Sequence, residues 1–171
     1  MPSMRDFATK QETKIAEFLG WERVSGSGAA PCVPGDVIAD DWLGECKTHT
    51  SPDQRIFFDY EVWKKINEEA MAKRRSAVLF ADDGSQNTKR TWAVCNYVSI
   101  ERPFLLEADL PFAVRKNISF DGAKQKGVLA VLSAKNVSPL SMFKYIVFRY
   151  TWNDSDVALM PLDTFKELIN A

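Results

Sequence analysis

Two acids and a lysine stand close together in the first third of the chain, in the segments Gly35-Asp36-Val37 and Gly44-Glu45-Cys46-Lys47. Two carboxylates and an amine that converge on one point can hold a divalent cation and activate water. If Glu45 lies on a strand, alternation puts Glu45 and Lys47 on one face and Cys46 on the other. The spacing therefore predicts a site shared by two adjacent strands. The alternative is a polar hairpin in which Glu45 and Lys47 form only a surface ion pair.

A hairpin and a helix are the elements that would bring these residues together. The polar turn at residues 40–42 predicts that the strand carrying Asp36 folds back beside the strand of Glu45. Upstream, apolar residues recur at helical spacing over residues 4–19. Glu12 flanks the apolar face of that helix. It is either a rim residue paired with a neighbouring cation or a carboxylate aimed into a site between helix and sheet.

The remaining pattern indicates an α/β fold with a mixed central sheet flanked by helices. A second helix is predicted over residues 59–75 and a strand over residues 77–81. The second half is β-rich, with predicted strands and a last helix over residues 91–98, 128–133, 142–152, 157–160 and 164–170. No repeat or boundary is evident, so residues 1–171 are predicted to form one domain. It has a motif-bearing core at about residues 4–82 and a β-rich extension at residues 85–171.

The composition suits one soluble globular domain. The chain has 171 residues, of which 46% are hydrophobic and 26% charged, and no apolar run is long enough to cross a membrane. Its net charge of −1 weighs against a nucleic-acid coat protein, which needs a basic excess, but not against an enzyme that acts on DNA. Three widely spaced cysteines predict reduced thiols, without a disulfide framework or a zinc site, and hence a cytoplasmic location.

The two motifs resemble those of the PD-(D/E)XK nuclease superfamily. Pro34-Gly35-Asp36 matches the first signature apart from the intervening glycine, and Glu45-Cys46-Lys47 matches the E-X-K form. The helix with Glu12 and the Ser/Gly-rich loop at residues 25–30 are similar to those of archaeal Holliday-junction resolvases and related phage enzymes. In that group a helix glutamate, a flexible loop, an aspartate and an E-X-K strand follow in this order. The resemblance covers roughly residues 8–82 and implies a restriction-endonuclease-like sheet.

This resemblance implies Mg²⁺-dependent hydrolysis of phosphodiester bonds, with Mn²⁺ able to substitute for Mg²⁺. Asp36 and Glu45 would bind the cation together with the backbone carbonyl of Cys46, and Glu12 would add a ligand directly or through water. Lys47 would orient the attacking water and stabilise the charge that develops on the scissile phosphate. The expected catalytic set is therefore these four charged side chains.

The resemblance also implies contacts with DNA outside the catalytic set. Ser25 and Ser27 would meet the DNA backbone from the loop, and Lys64 from the second helix, although Lys64 is equally well interpreted as a solvated surface lysine. The implied protein is a structure-selective endonuclease that cuts branched DNA as a homodimer, in a bacterial or archaeal cell or a phage-infected host. Two alternatives stay open: a nuclease for duplex ends or nicks, and a catalytically silent protein that binds DNA or inhibits another protein.

Overall fold

The computed structural model describes residues 3–24, 35–48, 55–100, 128–133, 146–150 and 155–170. Their helices and strands are, in chain order, α1 (Met4–Leu19), β1 (Glu22–Arg23), β2 (Val37–Ile38), β3 (Trp42–Lys47), β4 (Arg55–Asp59), α2 (Tyr60–Ala72), β5 (Ser76–Asp82), β6 (Thr91–Asn96), α3 (Tyr97–Ile100), β7 (Val128–Ser133), β8 (Ile146–Tyr150), β9 (Ser155–Pro161) and α4 (Leu162–Ile169). The predicted α/β class is confirmed. Within the described ranges no helix is both long and apolar enough to cross a membrane.

Local signals at both ends of α1 fix its bounds at the predicted residues. Ser3 is the N-cap: its Oγ accepts a hydrogen bond from the Asp6 N–H at 3.2 Å, and the Asp6 carboxylate accepts one from the Ser3 N–H at 2.9 Å. Gly20 ends the helix with a left-handed φ of 72°, which glycine adopts at little steric cost. Ile15 and Leu19 are buried, so α1 packs through its apolar face.

Within the described residues, seven strands form one mixed sheet in the order β1-β2-β3-β5-β6-β9-β8. β3 and β5 run parallel, with Glu45 opposite Leu79 and Lys47 opposite Ala81, whereas the other neighbours are antiparallel. β4 pairs with β7 in a separate two-stranded sheet. Because parallel strands need a crossover connection, β4 and α2 together carry the chain from β3 to β5.

β2 and β3 form the hairpin that the polar turn predicts, and it is short. Its register has only two pairs, Val37 with Gly44 and Ile38 with Leu43. Gly44 is tightly enclosed, since a Cβ there would lie 2.7 Å from Val37 Cγ2 and 2.9 Å from Phe80 Cε2. The strands therefore approach each other at a position where no side chain fits.

The sheet has an apolar core on each face. One core lies against α2, and its large buried side chains include Phe58, Trp63, Ile66 and Leu79. The other lies against α1 and α4, and it contains Ile15, Cys46, Phe80 and Phe165. Because alternate residues of β3 point to opposite faces, Leu43 belongs to the first core and Cys46 to the second.

An aromatic cluster around Phe165 of α4 occupies one end of the second core. Its ring lies edge-on to three others, with centroid distances of 5.0 Å to Trp42, 5.5 Å to Phe80 and 5.9 Å to Trp21. Trp42 is the first residue of β3 and Lys47 the last. The cluster is therefore centred on the end of the strand away from Lys47, and Phe80, whose β5 position pairs with Cys46, extends it toward the predicted catalytic residues.

The bounds of α2 and β6 differ from the predicted ones. Asp59 is the N-cap of α2, because its Oδ1 accepts the Val62 N–H at 3.1 Å, and the helix begins one residue later than predicted. At the other end Arg74 has a left-handed φ of 56°, and the helix stops at Ala72. β6 ends at Asn96, two residues before its predicted end, where the chain enters α3.

Candidate active site

Asp36 lies where β2 separates from β3. Its N–H still donates to the Gly44 carbonyl at 2.8 Å, as an extension of the hairpin. Further along β3 its side chain takes the place of a backbone partner, because Oδ2 accepts the Cys46 N–H at 2.9 Å. The carboxylate thus satisfies a donor that the short β2 leaves without a strand neighbour. We call this opening in the sheet, bordered by Asp36, Glu45 and Cys46, the fork.

Cys46 has the orientation that strand alternation predicts. Its side chain is 5% exposed and belongs to the core beneath α1, and burial raises the pKa of its thiol well above the usual range. A buried neutral thiol is a poor nucleophile. Its N–H points to Asp36, and the N–H and C=O of one strand residue point to the same side. The Cys46 carbonyl therefore faces the fork, as a backbone cation ligand requires.

Glu12 of α1 reaches the fork from the helix side. It is 9% exposed, and its carboxyl group is close enough to Asp36 that the charge of Asp36 adds to burial in raising the pKa of Glu12. Lys14, a cation that could have paired with Glu12 at the rim, instead donates to the Gln86 carbonyl at 3.0 Å. Of the two interpretations left open for Glu12, these contacts favour a carboxylate directed into a site.

Glu45 and Lys47 lie on the same face of β3 and contact each other. Lys47 Nζ is 3.3 Å from Glu45 Oε1, and the side chains are 52% and 23% exposed respectively. Glu45 is also close enough to Asp36 that the charge of Asp36 adds to burial in raising the pKa of Glu45. Asp36 is therefore the middle member of a row of three acids, and Lys47 stands at one end of that row with half of its side chain in solvent.

The three acids come from opposite faces of the sheet. Glu12 belongs to α1, which packs on the face that contains Cys46, whereas Glu45 projects to the face of Leu43 and α2. They can meet because β2 does not continue beside the end of β3 and Asp36 stands in the opening. The fork is thus what brings side chains from the two faces together.

Burial raises the pKa values of these three acids. With the added charge of Asp36, it raises the pKa of Glu12 and of Glu45 to about 7. Burial also raises the pKa of Asp36, against the lowering influence of a backbone hydrogen bond and of Lys47. The charge of Arg23 on β1 lowers the pKa of Glu12 without offsetting burial. The fork therefore disfavours the charged forms of its own acids.

These acids suit a divalent cation by their chemistry. Carboxylate oxygens are the ligands that Mg²⁺ prefers, and a bound cation favours the charged forms that burial disfavours. In the part of the chain that the structure describes, however, no three His, Cys, Asp or Glu side chains are already arranged to hold a metal ion. Binding would therefore require the carboxylates to turn toward the cation and to release the protons that burial favours on them.

Sequence reasoning missed Gln11, the α1 residue before Glu12. Gln11 is 1% exposed, and its Nε2 donates to the Lys47 carbonyl at 2.6 Å. Its Oε1 is buried without a hydrogen-bond partner among the described residues. The sequence does carry a signal for this burial, because Gln11 is one turn before Ile15 on the stripe that packs against the sheet.

The charge on α2 that acts on the fork is that of Glu69, not that of the predicted Lys64. Lys64 is exposed and forms neither a hydrogen bond nor an ion pair with any other described residue. Burial is the main cause that raises the pKa of Glu45, and the charge of Glu69 on α2 adds to it. Lys65 lies 3.8 Å from Glu69, one turn away on the same helix. The other predicted DNA contacts, Ser25 and Ser27, and Pro34 of the first motif, lie outside the described residues.

Comparison with known proteins gives no independent assignment. No protein-family model matches the chain, and no curated protein or solved structure is detectably similar to it. The function must therefore be argued from the fork itself and from the motif resemblance.

Proposed function

We propose that the protein is a metal-dependent DNA endonuclease that hydrolyses phosphodiester bonds at the fork. The observation that carries this proposal is the meeting of Glu12, Asp36 and Glu45, three acids from separate elements, beside the half-exposed Lys47. A purely structural role accounts poorly for this arrangement, because burying like charges together destabilises a fold. The resemblance to the PD-(D/E)XK motifs supplies the reaction class, and the geometry of the fork supports it.

The proposed cation is Mg²⁺, with Mn²⁺ as a substitute. Asp36, Glu45 and the Cys46 carbonyl would hold it, and Glu12 would bind it directly or through water. When bound, the cation would polarise the scissile phosphate and lower the pKa of coordinated water. Glu12 and Glu45 each have a pKa of about 7, so part of their population must release protons as the carboxylates become ligands.

Lys47 is proposed to act on the phosphate. In the hydrolytic step the water oxygen bonds to phosphorus and loses its proton, while the bond to the leaving oxygen breaks and that oxygen takes up a proton. Lys47 would donate hydrogen bonds to the non-bridging oxygens, where negative charge grows, and would orient the water. Its contact with Glu45 at 3.3 Å holds Nζ beside the fork, so charge stabilisation is the assigned role rather than that of a base.

The proposed substrate is branched DNA such as a Holliday junction. This choice depends on the order of the motifs, in which a helix glutamate and a small-residue loop precede the aspartate and the E-X-K strand, as in the resolvases. Symmetric cleavage of a junction needs two sites related by a two-fold axis, so a homodimer is the proposed active form. A nuclease that cuts duplex ends or nicks would use the same fork, with a different protein surface around it.

Cleavage assays on three matched DNAs test the proposal. With Mg²⁺, the wild-type protein should cut a labelled four-way junction and leave linear duplex and single strand intact. Lys47→Ala should lower kcat by about 100-fold or more, since it removes a donor to the developing charge. Lys73→Ala is the control, because Lys73 is an exposed residue at the C-cap of α2, and it should match the wild type. Cutting of all three DNAs would retain the nuclease and remove its junction selectivity.

A catalytically silent DNA-binding or inhibitory protein is the second candidate. The observation that favours it is that, among the described side chains, no three potential ligands are already arranged around a cation position. A folded protein that cuts none of the DNAs with Mg²⁺ or Mn²⁺, and that takes up neither ion in calorimetry, would establish this candidate over the nuclease.

A further inference from the structure

We propose that Gln11 is a positioning residue of the fork, which holds the carbonyl of Lys47 and thereby fixes Glu12 and Lys47 relative to each other. The inference rests on the proposed nuclease function and deepens it, because it assigns the site a residue that the motifs do not contain. Its basis is one contact, the 2.6 Å hydrogen bond from Gln11 Nε2 to the Lys47 carbonyl, made by a side chain that is 1% exposed.

The hydrogen bond joins α1, which carries Glu12, to β3, which carries Lys47. These two residues are the ends of the charged row. Gln11 and Glu12 are consecutive on α1, so their side chains leave the helix about 100° apart. The Gln11 side chain donates to the Lys47 carbonyl at the end of β3, and the Glu12 side chain lies beside Asp36. Any sliding of α1 along the sheet would therefore break the Gln11 bond and displace Glu12 at the same time.

Apolar packing alone does not define this alignment. Near Glu12 the helix packs through Ile15, Ala16 and Leu19, and such contacts are non-directional. A hydrogen bond from a neutral amide to a carbonyl, in contrast, requires a particular distance and direction. Gln11 thus supplies the directional contact that the hydrophobic face of α1 lacks at the fork.

The unfilled acceptor of Gln11 indicates that stability is not its main purpose. Oε1 is buried and has no partner within the described residues, and a buried polar atom without a partner lowers the stability of a fold. An apolar side chain of the same length would avoid that cost but could not hold the Lys47 carbonyl. Functional positioning explains the amide better than packing does.

A second glutamine gives a matched control. Gln86 is also buried, at 4% exposed, and its Nε2 also donates to a backbone carbonyl, that of Phe7 on α1. Gln86 therefore ties the same helix to the rest of the molecule through the same kind of bond, but more than one helical turn away from Glu12. If Gln11 served only to anchor α1, the two glutamines would be interchangeable in their effects.

The experiment compares Gln11→Met and Gln86→Met with the wild type in three measurements: thermal unfolding, Mn²⁺ binding by electron paramagnetic resonance, and kcat and KM on the DNA that the wild type cuts. Gln11→Met is expected to weaken Mn²⁺ binding and to lower kcat, each by about 10-fold or more, with KM changed by less than about twofold. Gln86→Met is expected to lower the melting temperature while leaving Mn²⁺ binding and kcat within about twofold of the wild type. Gln11→Asn, whose amide is too short to reach the carbonyl, replaces Gln11→Met if that variant does not fold.

The outcomes distinguish the positioning role of Gln11 from the nuclease function on which it rests. Equal effects of the Gln11 and Gln86 variants on Mn²⁺ binding and kcat would overturn the positioning role while leaving an active wild type as a nuclease. A wild type that neither binds Mn²⁺ nor cuts DNA would overturn the proposed function, and the positioning role with it.

Discussion

Asp36 shows how one carboxylate can serve the fold and the site together. Its Oδ2 accepts the Cys46 N–H, and the carboxyl groups of Glu12 and Glu45 are its neighbours in the fork. Burial opposes the charged form of Asp36, whereas these three neighbours favour it. Without a cation this conflict is relieved by protons, and with one it would be relieved by coordination.

At the scale of single residues, the protein should become less stable as the pH rises. Glu12 and Glu45 have pKa values of about 7 in the folded protein, above their ordinary value near 4.5. Between those values the folded state binds more protons than the unfolded state, so stability is lost as the pH rises through about 7. The loss should total about 2–4 kcal/mol, because one unit of pKa corresponds to about 1.4 kcal/mol and the two groups are coupled. Urea unfolding at pH 5.5 and pH 8 in EDTA measures it.

Two controls accompany the urea experiment. Glu12→Gln with Glu45→Gln should flatten the dependence on pH, because the variant lacks both titrating groups. Mg²⁺ at about 100 times its dissociation constant should restore about 2.7 kcal/mol to the wild type at pH 8. Stability that instead increases between pH 5.5 and pH 8 would show that these glutamates are not held protonated in the fold.

The charged residues of the fork were predictable from the sequence, but its supporting residues were not. Acids and lysines at a motif spacing are visible in any sequence, so the segments of Asp36 and Glu45 predicted a shared site. Gln11 has no such spacing to either motif, and its partner is a backbone carbonyl 36 positions away. Glu69 could not be chosen over Lys64, because the rotation of α2 is set by tertiary packing.

At the scale of elements, the shortness of β2 creates the fork. A β2 strand that continued beside Glu45 and Cys46 would satisfy the Cys46 N–H with backbone and leave no opening for Asp36 or Glu12. The hairpin was predictable from its polar turn and from strand alternation. β4 was not, since its pairing with β7 is a contact between distant parts of the chain, which local patterns do not record.

Gly44→Ala should disrupt the hairpin and the site together. The added Cβ would lie 2.7 Å from Val37 Cγ2 and 2.9 Å from Phe80 Cε2, so β2 must move away from β3. We expect the free energy of unfolding to fall by about 1–3 kcal/mol, as for other overpacked cores. Because Asp36 precedes the displaced strand, Mn²⁺ binding should weaken as well. Chemical denaturation and a Mn²⁺ titration measure the two effects.

Gly20→Ala is the matched control for that variant. Gly20 has a φ of 72° with no atom within 4 Å of an added Cβ, so only the backbone is strained, at a cost of about 1–2 kcal/mol. The two alanine variants should lose similar stability, while Gly20→Ala keeps the Mn²⁺ affinity of the wild type. Equal losses of affinity would indicate that general destabilisation, rather than the hairpin, controls the site.

At the scale of the whole molecule, the aromatic cluster and the candidate chemistry are centred on opposite ends of β3. Phe165, Trp21 and Trp42 lie around the first residue of the strand, whereas the fork lies at Glu45 and Cys46 near its last residue. Phe80, whose β5 position pairs with Cys46, connects the cluster to the fork end of the strand. An α/β class could be predicted from alternating helix and strand patterns. The strand order could not, because it depends on which distant strands become neighbours.

Phe165→Ala should destabilise the molecule without altering the fork. Phe165 is fully buried, and its removal should lower the free energy of unfolding by about 3–5 kcal/mol through lost burial and a cavity. Met71→Ala removes a side chain that is 77% exposed and should change stability by less than about 0.5 kcal/mol. Below its melting temperature, Phe165→Ala should bind Mn²⁺ as tightly as the wild type. A tenfold weaker affinity would show that the two ends of β3 are coupled.

The bond between Asp36 and the Cys46 N–H decides which inactive variant can trap a complex with intact DNA. Asp36→Ala would remove a proposed ligand but would also leave a strand N–H without its acceptor. A complex captured with that variant would report a rearranged fork. Glu45→Gln keeps the size of the side chain and leaves the Asp36 contact in place, so it is the better choice for a substrate-bound crystal.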